Sequence, residues 1–302
     1  MDPRELASRI GPMGLWTTHI HYQPAAQARE NVGRLEELGF GAIWIGEARG
    51  KPALVHSALL LEGGRRIVVA TGIASVWAQD PITAANAART LEEAHPGRFV
   101  LGLGVSHPFL TEPRGREYGR PLEHMRWYLD AMDGAPWFGP EVSPAPRVLA
   151  ALGPKMLELA RDRTAGAHPY FVTVEHTVRA REVLGPEPLL APEQAVVLVK
   201  EASAARELAR RYTRGYLELP NYTNNLRRLG WGDDDLAGEG SDRLVDAVVA
   251  WGGVEAAVDR VREHLKAGAD HVAIRLITDD PRIFPERELI ELAEAAAPLK
   301  PS

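Results

Sequence analysis

Apolar residues along this chain fall either into short continuous runs or into longer stretches with helical spacing. The short runs are apolar at consecutive positions, which is typical of parallel strands covered on both faces. They predict strands at residues 13–20, 41–46, 67–75, 98–105, 147–151, 166–172, 194–199 and 271–277. The stretches between them predict helices at residues 24–38, 53–63, 82–95, 119–133, 154–164, 175–184, 202–212, 241–250, 254–267 and 285–297.

The regular alternation of strand and helix predicts a (β/α)8 TIM barrel, which we expect to form a single domain over residues 1–302. An open, doubly wound sheet is the alternative architecture. Two segments depart from a minimal barrel. Residues 106–120 follow the fourth strand and carry polar and turn residues, and residues 214–240 precede the last strand. We interpret both as insertions, the first lying over the strand ends.

Composition and charge narrow the class of protein. The chain has 302 residues, a net charge of −6 and no cysteine, so disulfides, thiolate zinc sites and iron–sulfur clusters are excluded. Its acidic balance gives no bulk attraction for nucleic acid or anionic lipid. The first fourteen residues lack the apolar core of a signal peptide, and the longest apolar run, 99–105, is too short to span a bilayer. We expect a cytoplasmic protein that acts on a small molecule, with no nucleic-acid or membrane partner.

Several familiar motifs are missing from the strand exits, where a TIM barrel carries its functional groups. Gly102 and Gly104 lack the third glycine of a dinucleotide fingerprint, because position 107 is histidine. We interpret these glycines as space for a flat ligand to approach the backbone. The chain contains no P-loop and no GxSxG elbow, and its ten histidines show no HExxH spacing, so we expect no catalytic metal.

The segment after the fifth strand could bind phosphate. Residues 151–156 run from a strand through a turn into a helix whose first position is Pro154. Free backbone N–H groups at this helix start, together with Lys155, suit an anion. A well-capped helix without a ligand explains the same pattern equally well.

Taken together, the strand exits resemble the bacterial luciferase-like (β/α)8 oxidoreductases, and most closely the branch that uses the deazaflavin coenzyme F420. The resemblance rests on the order and spacing of six segments: GLWT (14–17), FGAIWIGE (40–47), VATGIASVWAQDP (69–81), ARTLEEAHPGRFVLGLGVSH (88–107), ALGPKMLELA (151–160) and GAHPYFVTVEHT (166–177). It covers residues 10–200 and the last strand and helix.

The resemblance implies a cofactor site across the barrel mouth. The ring would lie against a bulge on the third strand, where a non-proline cis peptide is implied at Gly72-Ile73; an ordinary bulge is the alternative. The phosphate tail would lie at residues 153–156, near Thr173, which favours the phosphate interpretation above. The expected cofactor contacts are Thr17, Thr71, Gly72, Ile73, Ala74, Gly104, Val105, Ser106, Gly153, Pro154, Lys155, Met156 and Thr173.

Glu47 and His107 match the positions where related enzymes place polar groups beside the reactive ring edge. Both are candidate general acids or bases. Glu47 could instead pair with Arg49 or with a neighbouring basic loop. His107 could simply cap the following helix or form a wall on which a ring stacks. Sugar-phosphate dehydrogenases of the family carry an Asp-His pair where this chain has Glu47-Ala48, so we expect a different small organic substrate.

The resemblance therefore implies a coenzyme F420-dependent oxidoreductase that moves a hydride between the deazaflavin and a small organic substrate. An FMN-dependent luciferase-like monooxygenase is the alternative enzyme. A barrel that binds a flavin-like ligand without turnover is the alternative outside enzymes, favoured only by Ala48. Relatives with this fold usually pair through barrel helices, so we also expect a homodimer.

Overall fold

A computed structural model describes residues 1–299. All strand pairings in this part of the chain are parallel. The strands are β1 Met13–Trp16, β2 Ala42–Ile45, β3 Val68–Thr71, β4 Ala74–Ser75, β5 Phe99–Gly104, β6 Arg147–Leu149, β7 Gly166–Ala167, β8 Leu189–Leu190, β9 Glu193–Val197, β10 Val249–Trp251 and β11 Val272–Leu276.

Helices follow most strands and cover the outside of the sheet. The helices are α1 Pro3–Ile10, α2 Ala25–Glu37, α3 Ala53–Leu61, α4 Pro81–Ala94, α5 Pro108–Thr111, α6 Pro121–Asp133, α7 Pro154–Arg163, α8 Val174–Leu184, α9 Ala202–Leu217, α10 Pro220–Arg228, α11 Asp233–Leu236, α12 Asp242–Val248, α13 Val254–Lys266 and α14 Glu286–Ala296. Short 3₁₀ turns lie at His19–Tyr22, Glu112–Arg114 and Ala297–Leu299. No helix among the described residues is long and apolar enough to cross a membrane.

The sheet closes on itself where β8 runs into β9. Its strand order is β10-β9-β11-β1-β2-β3-β5-β6-β7-β8, with β4 paired to β5. Only Ala191 and Pro192 separate β8 from β9, and these residues connect β7, near one end of the order, to β11, near the other. The Ala191 N–H donates to the carbonyl of Ala167 in β7, and the Ala273 N–H of β11 donates to the carbonyl of Pro192. The predicted TIM barrel is confirmed.

Large side chains fill the barrel interior, as a barrel of this size requires. Trp44 of β2 stacks on His168 with ring centroids 4.2 Å apart, and its Nε1 donates to Nε2 of His271 at 3.0 Å. Nδ1 of His271 donates in turn to the carbonyl of Gly11. Burial lowers the pKa of both histidines to about 4, so both rings are neutral at pH 7. Leu6 and Ile10 of α1 join this interior cluster and cover the amino-terminal end of the strands.

The structure corrects several predicted element boundaries. Strand β1 ends at Trp16, so residues 17–20 are not strand, and the predicted helix 241–250 ends at Val248, where β10 begins. Segment 214–240 is largely helical, because α9 extends to Leu217 and α10 and α11 follow it. Helix α1 was not predicted, although Asp2 caps it by accepting hydrogen bonds from two backbone N–H groups.

Candidate active site

The chain bulges at the carboxyl end of β3, and the peptide bond Gly72-Ile73 is cis. This confirms the cis peptide that the resemblance implied. Neighbouring strands hold both of its carbonyls. Nε1 of Trp16, at the end of β1, donates to the carbonyl of Gly72 at 2.8 Å, and the N–H of Glu47, after β2, donates to the carbonyl of Ile73 at 3.0 Å. The bulge is thus held in place by the residues that end β1 and follow β2.

The glycines of β5 make room for this bulge. A Cβ atom on Gly102 would lie 1.9 Å from the carbonyl oxygen of Thr71, and one on Gly104 would lie 2.5 Å from Cγ1 of Ile73. Both distances are far below van der Waals contact. The sequence interpretation that these glycines clear space for a ligand is therefore wrong. Thr71 and Ile73 of the neighbouring strand exit occupy that space.

Glu47 uses both carboxylate oxygens to tie the bulge to α3. Oε1 accepts from the N–H of Ala53 at 3.1 Å, and Oε2 accepts from the N–H of Ser75 at 2.8 Å. No basic side chain within residues 1–299 lies within 4 Å of this carboxylate, so the predicted alternative pairing with Arg49 does not form.

Two threonines predicted to contact the cofactor use their hydroxyls within the protein. The Thr71 hydroxyl donates to the carbonyl of Gly102 at 2.7 Å. The Thr17 hydroxyl accepts from the N–H of His19 at 3.1 Å and lies 3.3 Å from Nδ1 of the same residue. Both side chains are buried. They shape the walls of the mouth, and their polar atoms are already partnered.

His107 follows β5, and its imidazole makes no hydrogen bond with the described part of the chain. Ser106 before it has a left-handed backbone with φ of 54°, and His107 itself is the N-cap residue of α5. Its side chain makes no capping hydrogen bond, so the predicted alternative of a cap does not describe the imidazole. The half-buried ring lies against Phe109 and Tyr222, with centroids 5.7 and 5.6 Å away. Burial lowers the pKa of His107, so the ring is neutral at pH 7.

A second polar cluster lies where α7 and α8 begin. Gly153 and Thr173 are the N-cap residues of these helices. Glycine has no side chain to act as a cap, and the Thr173 hydroxyl does not cap its own helix. The hydroxyl of Thr173 is buried without a hydrogen-bond partner in the described part of the chain, as is Nδ1 of His176. Nε2 of His176 donates to the carbonyl of Leu152 at 3.0 Å, which joins the two helix starts. Burial lowers the pKa of His176 to about 4.

Helix α10 supplies the cationic part of this cluster. Nη2 of Arg228 would lie 3.5 Å from a Cβ atom on Gly153, and it donates to Oδ1 of Asn225 at 3.3 Å. Nδ2 of Asn225 is buried and has no partner among residues 1–299, and no carboxylate of those residues lies within 4 Å of Arg228. We define the anion cluster as Gly153, Thr173, Asn225 and Arg228. Sequence reasoning missed the last two of these residues.

The remaining predicted contacts lie near the bulge or in the first turn of α7. Ala74 of β4 pairs with Leu103 of β5, and the carbonyl of Val105 accepts from Nε1 of Trp77 at 2.8 Å. Pro154, Lys155 and Met156 form the first turn of α7. Lys155 is exposed and makes no hydrogen bond or ion pair with any residue of the described chain. In the same part of the chain, no group of three or more His, Asp or Glu side chains could hold a metal ion.

Comparison with known proteins identifies the family to which this chain belongs. Residues 8–271 match the family model described as luciferase-like monooxygenase. The chain belongs to this family. A Mycobacterium tuberculosis protein provisionally named as a coenzyme F420-dependent oxidoreductase is 29% identical over 170 residues, which span 56% of this chain and 47% of that relative. The aligned region thus covers about half the length of this relative.

Solved structures of the same fold include one that binds coenzyme F420 and one that binds FMN. An F420-dependent secondary alcohol dehydrogenase, in complex with an F420-acetone adduct, gives a TM-score of 0.74 at 13% identity and covers 96% of this chain and 99% of that one. The FMN complex of a type II Baeyer-Villiger monooxygenase from Pseudomonas putida gives 0.66 at 16% identity, covering 94% and 96%. At these identities the likeness shows the shared fold.

Proposed function

We propose that this luciferase-like protein is a coenzyme F420-dependent oxidoreductase that transfers a hydride between the deazaflavin and a small organic substrate. The observation that carries the proposal is the anion cluster. Thr173 and Asn225 there hold buried donors without partners, beside a guanidinium without a counter-ion. Leaving buried donors unsatisfied costs about 1–3 kcal/mol each, so such a cluster is typical of a ligand site.

A phosphate fits this cluster by charge and by hydrogen bonding. The Thr173 hydroxyl and the Asn225 amide would each donate to a phosphate oxygen, and Arg228 would supply the positive charge. The backbone N–H groups at the start of α7 add the favourable end of a helix dipole. We propose that this cluster holds the phosphate of the cofactor tail and that the Gly72-Ile73 bulge supports the ring.

A bound deazaflavin would supply a carbon centre that accepts or donates the hydride. The chain's own residues would orient it and manage the proton. We propose that His107, whose neutral ring lies at the mouth without a hydrogen-bond partner among residues 1–299, transfers the proton to or from the substrate. Glu47 is assigned a positioning role, because both of its carboxylate oxygens are engaged by backbone N–H groups.

FMN is the alternative cofactor, since the anion cluster would also accept its phosphate, and a structure of the same fold binds it. The M. tuberculosis relative favours coenzyme F420. Parallel titration of the purified protein with coenzyme F420 and with FMN, followed by fluorescence, tests the choice. We expect saturable binding of coenzyme F420 and none of FMN at the same concentrations. Tight binding of FMN alone would instead indicate the monooxygenase.

Two further expectations remain proposals. We propose a homodimer formed through barrel helices, where Val55 of α3 and Ile82 of α4 expose 58% and 46% of their surface. Light scattering at micromolar concentration tests it, and a monomer would contradict it. We also propose a cytoplasmic location, on the grounds of composition.

A further inference from the structure

Arg275 is a cation inside the barrel mouth with no carboxylate partner. It lies on β11, two positions after Ala273, whose side chain faces the barrel interior. No Asp or Glu oxygen of residues 1–299 lies within 4 Å of its guanidinium. Burial lowers the pKa of Arg275 to about 10, which leaves it charged at pH 7. Glu193, the buried acid on neighbouring β9, has a pKa raised by burial to about 8, so it is mostly neutral at that pH.

Aromatic rings surround the guanidinium and leave part of it open. Its Cζ lies 4.6 Å from the ring centroid of Trp16 and 4.9 Å from that of Tyr212. Nη1 donates to the hydroxyls of Tyr170 and Tyr216. Nε and Nη2 donate to no acceptor in the described chain, and the side chain is only half-buried. The two free donors lie on one edge of the guanidinium, in the arrangement that binds both oxygens of a carboxylate.

Trp16 connects this arginine to the proposed ring site. The face of its indole contacts Arg275, while Nε1 of the same indole donates to the carbonyl of Gly72 at the bulge. A group bound by Arg275 would therefore be separated from the bulge by the Trp16 side chain alone. Each cation–π contact contributes about 2 kcal/mol when it is well placed and desolvated, which offsets only part of the cost of burying an unpaired charge. An anionic ligand would supply the missing countercharge.

We propose that the substrate of this enzyme carries a carboxylate, which the free edge of Arg275 binds so that the reacting carbon lies over the bulge. The proposal rests on the function proposed above for the location of the reacting ring. It narrows the substrate to small carboxylic acids. It assigns Arg275 as the residue that determines this specificity.

Titration calorimetry with two matched pairs of probes tests the assignment. Each pair is an acid and its amide: trans-cinnamate with cinnamide, and pyruvate with pyruvamide. We expect the protein to bind at least one acid more tightly than its amide. Arg275→Gln should weaken binding of that acid by roughly 10- to 100-fold, in line with a hydrogen-bonded charge pair, and leave the amide unchanged. Arg275→Lys, which keeps the charge but loses the fork, should give an intermediate loss, and Arg227→Gln on the exposed face of α10 should behave as wild type.

The outcomes separate this proposal from the proposed function. Equal binding of both acids and their amides, or acid binding that Arg275→Gln and Arg275→Lys leave unchanged, would overturn it. Loss of coenzyme F420 binding in Arg275→Lys would also overturn it, by assigning the arginine to the cofactor. If the wild type binds no coenzyme F420 but binds the acids through Arg275, the carboxylate site stands and the proposed function fails.

Discussion

Gly104 and Ile73 occupy complementary positions on neighbouring strand exits, because a Cβ on the glycine would lie 2.5 Å from Cγ1 of the isoleucine. The same Cβ would lie 2.6 Å from Cδ1 of the isoleucine and 3.2 Å from Cβ of Ala150. The shape of the Gly72-Ile73 bulge, on which we propose that the cofactor ring lies, thus depends on a residue of the neighbouring strand β5.

Gly104→Ala should therefore destabilise the protein and weaken cofactor binding together. We expect a loss of about 1–3 kcal/mol in the free energy of unfolding, the usual cost of overpacking a core. Gly215→Ala in α9 is the matched control, since its Cβ would meet nothing within 4 Å. Denaturant unfolding and cofactor titration of both variants provide the measurement. Wild-type stability and affinity in Gly104→Ala would contradict the role assigned to this glycine.

Glu47→Gln tests whether Glu47 positions the bulge. A glutamine side chain has one acceptor oxygen, so it would leave either the Ala53 or the Ser75 N–H without its partner. We expect a stability loss of about 1–3 kcal/mol and weaker cofactor binding. Glu37→Gln, on the exposed end of α2, should change neither. Unchanged stability and affinity, with a large loss of turnover, would return Glu47 to the role of acid or base.

The barrel can be predicted well from the sequence because each strand and helix is marked by a pattern within its own residues. Runs such as 67–75 are apolar over the length of one strand, and the structure places β3 and β4 inside that run. The cis peptide was implied through the resemblance around Gly72-Ile73. The role of Glu47 was not predicted, because its partners depend on the path of the bulge, which no spacing rule encodes.

The cationic half of the anion cluster was missed for a different reason. Asn225 and Arg228 lie in segment 214–240, which the sequence analysis interpreted only as an insertion, so no helix face could be assigned to them. Only the packing of α10, where Tyr222 and Leu226 are buried, turns that side of the helix toward Gly153. The adjacent pair Arg227-Arg228 was the one available signal.

Arg228→Gln should weaken binding of coenzyme F420 by roughly 10- to 100-fold, the effect of losing one hydrogen bond to a charged group. Affinity for the deazaflavin chromophore without its phosphate tail should stay unchanged, because the proposed contact is to phosphate alone. Arg227→Gln, which removes the neighbouring exposed arginine, is the control. Equal losses for the full cofactor and for the tailless chromophore would place Arg228 elsewhere.

His107→Ala should lower turnover by roughly 10²–10⁴-fold, the usual effect of removing a general acid or base. Isopropanol with the oxidised cofactor and cyclohexenone with the reduced cofactor, alongside any carboxylic acid found to bind, provide probe substrates. Cofactor affinity should change little, since the anion cluster retains the tail. Phe109→Leu removes the ring beside the imidazole and should cost much less. Weaker cofactor binding with undiminished turnover per bound cofactor would make His107 structural.

Buried histidines should make the fold sensitive to mild acid. Burial lowers the pKa of each to about 3 or 4; they are His56, His168, His176, His264 and His271. In the unfolded chain they titrate near 6.5, so between pH 6.5 and 4 the unfolded state binds more protons. The free energy of unfolding should therefore fall as pH decreases through this window. His56→Leu should reduce the slope, because it removes one such group whose ring nitrogens have no partners among residues 1–299.

Glu193 should produce the opposite slope as pH rises from about 4.3 to about 8. Burial raises the pKa of its carboxyl to about 8 in the folded chain, whereas an unfolded glutamate titrates near 4.3. The folded state therefore binds the extra proton between these values, and the stability contributed by this group is lost as pH rises through 8. Glu193→Gln keeps an acceptor oxygen that Phe171 and Tyr212 can share and removes the titration, so stability should become flatter between pH 6 and 8. Urea unfolding across that range measures the slope, with Glu37→Gln as control. An identical slope between pH 6 and 8 in both variants would mean that Glu193 is ionised in the folded protein.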